Sequence, residues 1–160
     1  MEKNPINEVM GKLNYGVYVL TSTFDESKNG CTVSWVSQVS FDPPIVTLSL
    51  APGRFSHQFI KNAKTFALSI LPDTDRGREL GRHFGVVSGR KFDQFANIEC
   101  FSAETGAPII KSAVAYMECK VLFSTDAGDH TVFFGEVISG KVISDAEETL
   151  SYLPSDYLGG

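Results

Sequence analysis

Polar and apolar residues alternate along much of the chain. From Cys31 to Ser40, Cys31, Val33, Trp35, Ser37 and Val39 fall on one face; Thr32, Ser34, Val36, Gln38 and Ser40 fall on the other. This predicts one strand with a hydroxyl- and amide-rich second face. Asp42-Pro43-Pro44 ends it, because two successive prolines fix φ and remove two backbone donors. Ile45 to Leu50 predicts a second, largely buried strand. Tyr15 to Thr23, Thr65 to Ile70, Val114 to Ser124 and His130 to Ile143 predict four more. Within Val114 to Ser124, Ala115, Met117, Cys119, Val121 and Phe123 are assigned to the core, and Glu118 and Lys120 to solvent. Gly135 and Gly140 leave room for bends in the last strand. Asp25 to Gly30 reads as a hairpin loop with Asn29-Gly30 as its turn pair, and Asp126 to Asp129 as a second turn.

Helical spacing is confined to short segments. Asn7 to Lys12 suits one or two turns. Phe55 to Asn62 suits an amphipathic helix with Phe55, Phe59 and Ile60 inward. Asp73 to Phe84 follows Pro72 and has Asp73 or Thr74 as cap. Gly77, Gly81 and Gly85 share one face of it, which predicts close approach of another backbone and a helix that is short or broken. No strand-turn-helix context surrounds them, so they are not a dinucleotide fingerprint. Asn97 to Lys111 is expected to be irregular, Asp145 to Leu153 a terminal helix, and Leu158-Gly159-Gly160 a tail. Strands that do not alternate with long helices predict one mainly β domain over residues 1–160, a closed or split barrel rather than a parallel doubly wound sheet.

Composition narrows the class. The chain has 160 residues, 42% hydrophobic and 21% charged, enough for one sizeable core. A net charge of −5 argues against nonspecific nucleic-acid binding. The first residues carry no apolar signal-peptide core, and no run is long enough to span a bilayer, so a cytoplasmic protein without a membrane partner is expected. Cys31, Cys100 and Cys119 form no CxxC pair. Free thiols in a reducing compartment are expected, with no disulfide framework, zinc site or iron–sulfur centre.

Three features carry candidate chemistry. Ala51-Pro52-Gly53-Arg54 precedes a helix, where free N–H groups, a favourable dipole end and a forked cation suit a phosphate. Ser56 either adds a donor there or simply caps the helix. Arg76, Arg78, Arg82, Arg90 and Lys91 fall within sixteen positions and include four of the five arginines. They form either a solvated face or an anion site. Of the three histidines, His57 reads as a surface residue near a helix start and His83 as exposed. His130 opens a strand. No metal-ligand spacing links them, and no metal is expected. Trp35 is either core or the wall of a ligand site.

Two segments together resemble a known family. They are the hydroxyl-rich strand leading through Val39-Ser-Phe-Asp-Pro-Pro44 into an apolar strand and an Arg/Ser loop, and Gly128-Asp-His-Thr-Val-Phe-Phe-Gly-Glu-Val137. Both, in this order over roughly residues 10 to 143, are similar to the flavin reductase-like family. The resemblance implies an FMN-binding split β-barrel, a Greek-key barrel with short flanking helices. It implies a homodimer with the flavin near its interface, and hydride transfer from NADH or NADPH to FMN. An alternative is a flavoredoxin-like FMN electron carrier reduced by a protein partner; a third is a flavin-binding module without redox work. The implied flavin contacts are Val33, Ser34, Trp35, Val36, Ser37, Gln38, Val39, Ser49, Leu50, Ala51, Arg54, Ser56, His57, Lys91 and Phe92. His130 is implied to hold the nicotinamide nucleotide. Trp35 departs from the family's Asn-Ser pattern, and Arg90 replaces an acidic residue before Lys91-Phe92. Some relatives append a rubredoxin module with paired CxxC motifs, which this sequence lacks.

Overall fold

The computed structural model describes residues 4–145 and 148–152. A helix, α1 (Pro5–Met10), leads into β1 (Tyr18–Phe24), β2 (Ser27–Val33), β3 (Val36–Phe41) and β4 (Pro44–Leu50). Then come α2 (Phe55–Ala63), β5 (Thr65–Ile70), α3 (Asp75–Val86), two short strands β6 (Cys100–Phe101) and β7 (Ile109–Ile110), and the long hairpin β8 (Ala115–Ala127) and β9 (His130–Val142). Seven strands make one antiparallel sheet in the order β2-β1-β5-β8-β9-β4-β3, and β6 pairs with β7. No helix among the described residues is long and apolar enough to cross a membrane.

The two edge strands of that sheet, β2 and β3, are neighbours in the chain, joined only by Ser34 and Trp35. So short a link brings opposite sheet edges together, and the sheet must roll. Its interior agrees. Val33 from one edge, Leu20, Phe66, Leu68, Cys119 and Phe133 from the middle, and Val46, Leu48 and Leu50 near the other edge share one buried cluster, with Ile60 of α2 inserted. Ser49 N–H donates to Trp35 O at 3.1 Å and Val36 N–H to Ser34 O at 3.0 Å, stitching the seam. The mainly β barrel is therefore as expected. The single strand expected over Cys31–Ser40 is instead two. Alternation runs unbroken through Ser34-Trp35, but β2 pairs with β1 and β3 with β4; periodicity does not register a change of partner.

A second core covers the outer face of β1. Val17 and Val19 pack with Leu71, Leu80 and Phe84 under α3. A Cβ at Gly77 would lie 1.9 Å from the Pro72 carbonyl oxygen, so the expected close backbone approach is real there. The helix nevertheless runs unbroken for 12 residues. Thr74 Oγ1 caps it, accepting from Gly77 N–H at 3.1 Å, and burial of Leu80 and Phe84 outweighs the weak propensity of glycine.

Four other expectations change. The hairpin turns at Asp25-Glu26, both left-handed at φ 50° and 63°, while Asn29 and Gly30 lie inside β2 opposite Ser22 and Thr21. Gly30 is there for space: a Cβ would sit 2.9 Å from the Phe84 ring. Glu118 is on the outer face of β8 as expected but wholly buried, because the 104–105 loop covers it. Phe123 is exposed, since a register shift between Val121 and Phe123 ends the alternation and the hairpin projects past the core. Glu148–Tyr152 is extended, bridging Pro72 with Thr149 and Gly16 with Ser151, rather than helical. The remainder of that expected helix, at 146–147 and 153, and the tail lie outside the described residues.

Candidate functional site

The seam opens on a cavity of about 310 Å³ lined by Cys31, Thr32, Val33, Ser34, Trp35, Ser49, Leu50, Ala51, Arg54 and His130. Each comes from a chain end meeting there: β2 and its link, the end of β4, the loop into α2, and the start of β9. Two rings flank it. Trp35 is 48% exposed and lies 4.8 Å, centroid to centroid, from the His130 ring. Trp35 is therefore not a core residue: it is half-exposed and lines the open cavity. Tyr15 stands behind it at 6.4 Å.

His130 is fixed by its neighbour. Its Nδ1 is 2.7 Å from Asp129 Oδ1. The hydrogen bond to His130, then the charge of that ring, holds the Asp129 carboxyl below its ordinary value. With Nδ1 turned to Asp129, Nε2 is the ring nitrogen left without that partner.

The phosphate-like loop lies beside this cavity. Arg54 occupies the N-cap of α2 and makes no side-chain capping bond, so Ser56 is not the cap. A smaller cavity of about 90 Å³ runs past Asn29, Arg54, Phe55, Ser56 and the 84–89 segment. Asn29 Nδ2 donates to Ser56 Oγ at 2.6 Å, holding the helix start against β2. The Cys31 thiol, between the two cavities, is pushed up by burial, with the Ser56 hydrogen bond and the Arg54 charge pulling the other way. It lines both cavities.

His57 is buried rather than on the surface: its Nε2 meets Thr131 Oγ1 at 3.0 Å and its ring packs on Phe133. Thr131 Oγ1 is 3.3 Å from Asp126 Oδ1 and donates to it, so His57 Nε2 carries the proton and donates to Thr131. Burial, then the Lys61 charge, lowers the His57 pKa, with Asp126 opposing. His83 is half-buried, its Nε2 2.7 Å from Gln94 O. Arg78 pairs with Asp73 and Arg76 with Glu79, so this part of the basic cluster is ion-paired helix surface.

Of the sequence-derived ligand residues, Val33, Ser34, Trp35, Ser49, Leu50, Ala51, Arg54 and His130 converge on the seam cavity, and Ser56 lines the adjoining one. Val36, Ser37 and Gln38 line a separate cavity with Tyr18 and Met117, and Val39 is exposed on β3. Lys91 and Phe92 line a further open cavity beyond α2. Cys31, Thr32 and Asn29 were not singled out individually. The hydroxyl-rich strand pointed to Thr32, but only the pairing of β2 brings Cys31 and Asn29 beside Arg54.

The rolled antiparallel sheet thus forms a β-barrel with a ring-walled cavity at its seam, next to a cationic helix start. Residues 10–160 match the flavin reductase like domain, and the chain belongs to that family. The NADH:FAD oxidoreductase SgcE6 of Streptomyces globisporus superposes with a TM-score of 0.85 at 30% identity, over 95% of this chain and 92% of that one. A ferric-chelate reductase (NAD(P)H) of Archaeoglobus fulgidus is 32% identical, over 94% of this chain and 87% of its own length. A putative diflavin flavoprotein of Thermosynechococcus vestitus is 33% identical over 86% of this chain, which spans only 24% of that relative.

Proposed function

We propose that the chain is an NAD(P)H-dependent flavin reductase that binds flavin at the seam with its phosphate at the start of α2. The observation that carries this is the continuity of a ring-walled cavity with a helix N-terminus that has Arg54 but no side-chain cap. The donor set fits: a flat ring system suits the Trp35 and His130 rings and the Ser34 and Ser49 hydroxyls, and a phosphate suits Arg54 and the open helix end. Flavin bound there supplies the electron sink for a hydride from NADH or NADPH. Family membership supports FMN as the minimal flavin. His130, oriented by Asp129, faces the ring cavity and positions the nicotinamide nucleotide; hydride departs from carbon, so no base is required of it.

Because the diflavin relatives are several times longer than the matched region, a second reading stands: an FMN electron carrier reduced by a protein partner. Three free cysteines, Cys119 wholly buried in the core and Cys31 and Cys100 partly buried, suit a cytoplasmic setting. Val39, Phe41 (89% exposed), Leu122 and Phe123 leave apolar surface on β3 and the projecting hairpin, which supports a homodimer burying over about 2,000 Å². Light scattering should return twice 17.5 kDa; a flavin-loaded monomer at micromolar concentration refutes it.

Anaerobic stopped-flow separates the two readings. Direct bleaching by NADH or NADPH is expected of the reductase. His130→Ala should remain yellow, be reduced more slowly with a raised KM for the nucleotide, and still be fully reduced by dithionite. A variant indistinguishable from wild type across nucleotide concentrations removes His130 from the mechanism.

A further inference from the structure

Consecutive residues at the start of α2 are fastened to different walls of the seam cavity. Ser56 Oγ accepts from Asn29 Nδ2 of β2 at 2.6 Å. His57 Nε2 meets Thr131 Oγ1 of β9 at 3.0 Å. All four side chains are buried. β2 and β9 are not neighbours in the sheet, so these two bonds, rather than a ladder, fix the helix start against both. Buried polar groups keep such bonds, because leaving a partner unsatisfied costs more than the bond itself contributes.

His57 lies beneath the candidate site, not in it. It lines neither cavity there, and its ring packs on Phe133. Its polar partner is the residue after His130. Successive side chains of a strand point to opposite faces. Thr131 turns inward to His57, while His130 lines the seam cavity with its ring 4.8 Å from that of Trp35. The β4 ladder ends at the Leu50–Thr131 pair, so β4 does not hold His130. Asp129 Oδ1 meets the His130 ring at 2.7 Å, but this carboxylate is almost wholly exposed, beside Gly128 in the hairpin turn. An exposed carboxylate on a turn sets how the ring is rotated more than where its backbone lies. The buried His57–Thr131 bond is the fixed point. Thr131 Oγ1 in turn donates to Asp126 Oδ1 of β8 at 3.3 Å, so one hydroxyl joins α2, β9 and β8.

We infer that His57 is a positioning residue of the reductase: through Thr131 it holds His130 in register with the start of α2, so that the nucleotide-positioning ring and the phosphate-binding helix end move as one body. This rests on the flavin reading above. The flavin contact that the family resemblance implies for His57 is then indirect. Asn29 still holds the helix start when the Thr131 bond is removed, so the loss should fall on the nicotinamide nucleotide and spare the flavin phosphate.

Thr131→Val removes the hydroxyl and keeps the shape; Thr131→Ser keeps the hydroxyl. In flavin-free protein, the nuclear Overhauser contact between the Trp35 and His130 rings should weaken in Thr131→Val and return in Thr131→Ser. With flavin bound, Thr131→Val should raise the KM for NADH or NADPH about two- to tenfold, the range of one neutral hydrogen bond, with FMN and riboflavin affinities unchanged. In a His130→Ala background the same substitution should raise KM no further, because it acts through that ring. A full additive increase there overturns the proposal. So does a Thr131→Val protein with its ring contact and KM intact and only its Tm lowered, since the bond is then merely structural. Flavin and nucleotide weakened alike would place the effect in the fold at large and overturn it also. Should Thr131→Val not fold, His57→Leu removes the other partner and is read in the same way. Failure of wild type to bind any flavin overturns the flavin reading, and the ring contact alone then decides whether His57 positions His130.

Discussion

Arg54→Ala tests the proposed phosphate site most directly. Arg54 sits at the N-cap of α2, is exposed, and makes no capping bond, so its removal leaves the barrel core intact. A charge-assisted hydrogen bond contributes about 1.5–3 kcal/mol. Solvent screening at an exposed side chain favours the lower end, about 1.5 kcal/mol, or roughly tenfold in Kd. The helix end remains and contributes about 0.3–1 kcal/mol toward an anion, so the variant should still prefer FMN to riboflavin, only less. Riboflavin, which lacks the phosphate, should bind both proteins alike. Fluorescence titration at low and high salt gives all four constants, and the wild-type advantage for FMN should shrink with salt. An equal loss for riboflavin and FMN would show that Arg54 shapes the ring cavity instead, and the phosphate assignment would fail.

Two further predictions concern buried titrating groups. Burial alone would raise the Glu118 carboxyl, but hydrogen bonds from the Thr105 hydroxyl and N–H, Glu104 N–H and Ser139 outweigh it and hold its pKa below the ordinary 4.5. A depressed folded pKa contributes stability that is complete above about pH 4.5 and lost as pH falls through the folded value. Glu118→Gln should cost about 2–3 kcal/mol at pH 7 and flatten the acid limb of Tm against pH; an unchanged limb would mean the loop is held by other contacts. His57, lowered by burial, is neutral in the fold, so its contribution is complete above about pH 6.5 and declines as pH falls below that. Thr131→Val should leave its Nε2–H without that partner and lower stability by about 1–3 kcal/mol at pH 7.5; an unchanged Tm would remove the His57–Thr131 bond from the account.

Local patterns were legible where one element faces one environment. Thr65–Ile70 was read to the residue, because its apolar run is bounded by polar residues and a proline. Arg54, Ser49 and the 33–35 segment were placed together because the family motif spans them. What periodicity does not carry is the identity of the partner. Glu118 looked like a solvent position because no local signal announces a loop arriving from residues 104–105. His57 looked like a surface residue because Thr131 lies 74 positions away. Asn29-Gly30 has turn chemistry, yet Gly30 answers to Phe84 and Gln94, neither of which is near it in the chain.

The two-residue link between β2 and β3 has a consequence for motion. Elsewhere in the main sheet neighbouring strands are held by paired ladders, the longest running along the 13-residue strands β8 and β9. At the seam the joining bonds are those of Val36 to Ser34 and of Ser49 to Trp35. Local opening is cheapest where few bonds must break, so opening of this barrel is expected first at Ser34-Trp35. That is the mouth through which a ring would enter, and an occupant bridging β2 and β4 would damp it. On the flavin reading proposed above, ligand exchange should follow that opening, and amide exchange at Ser49 should slow when flavin is added.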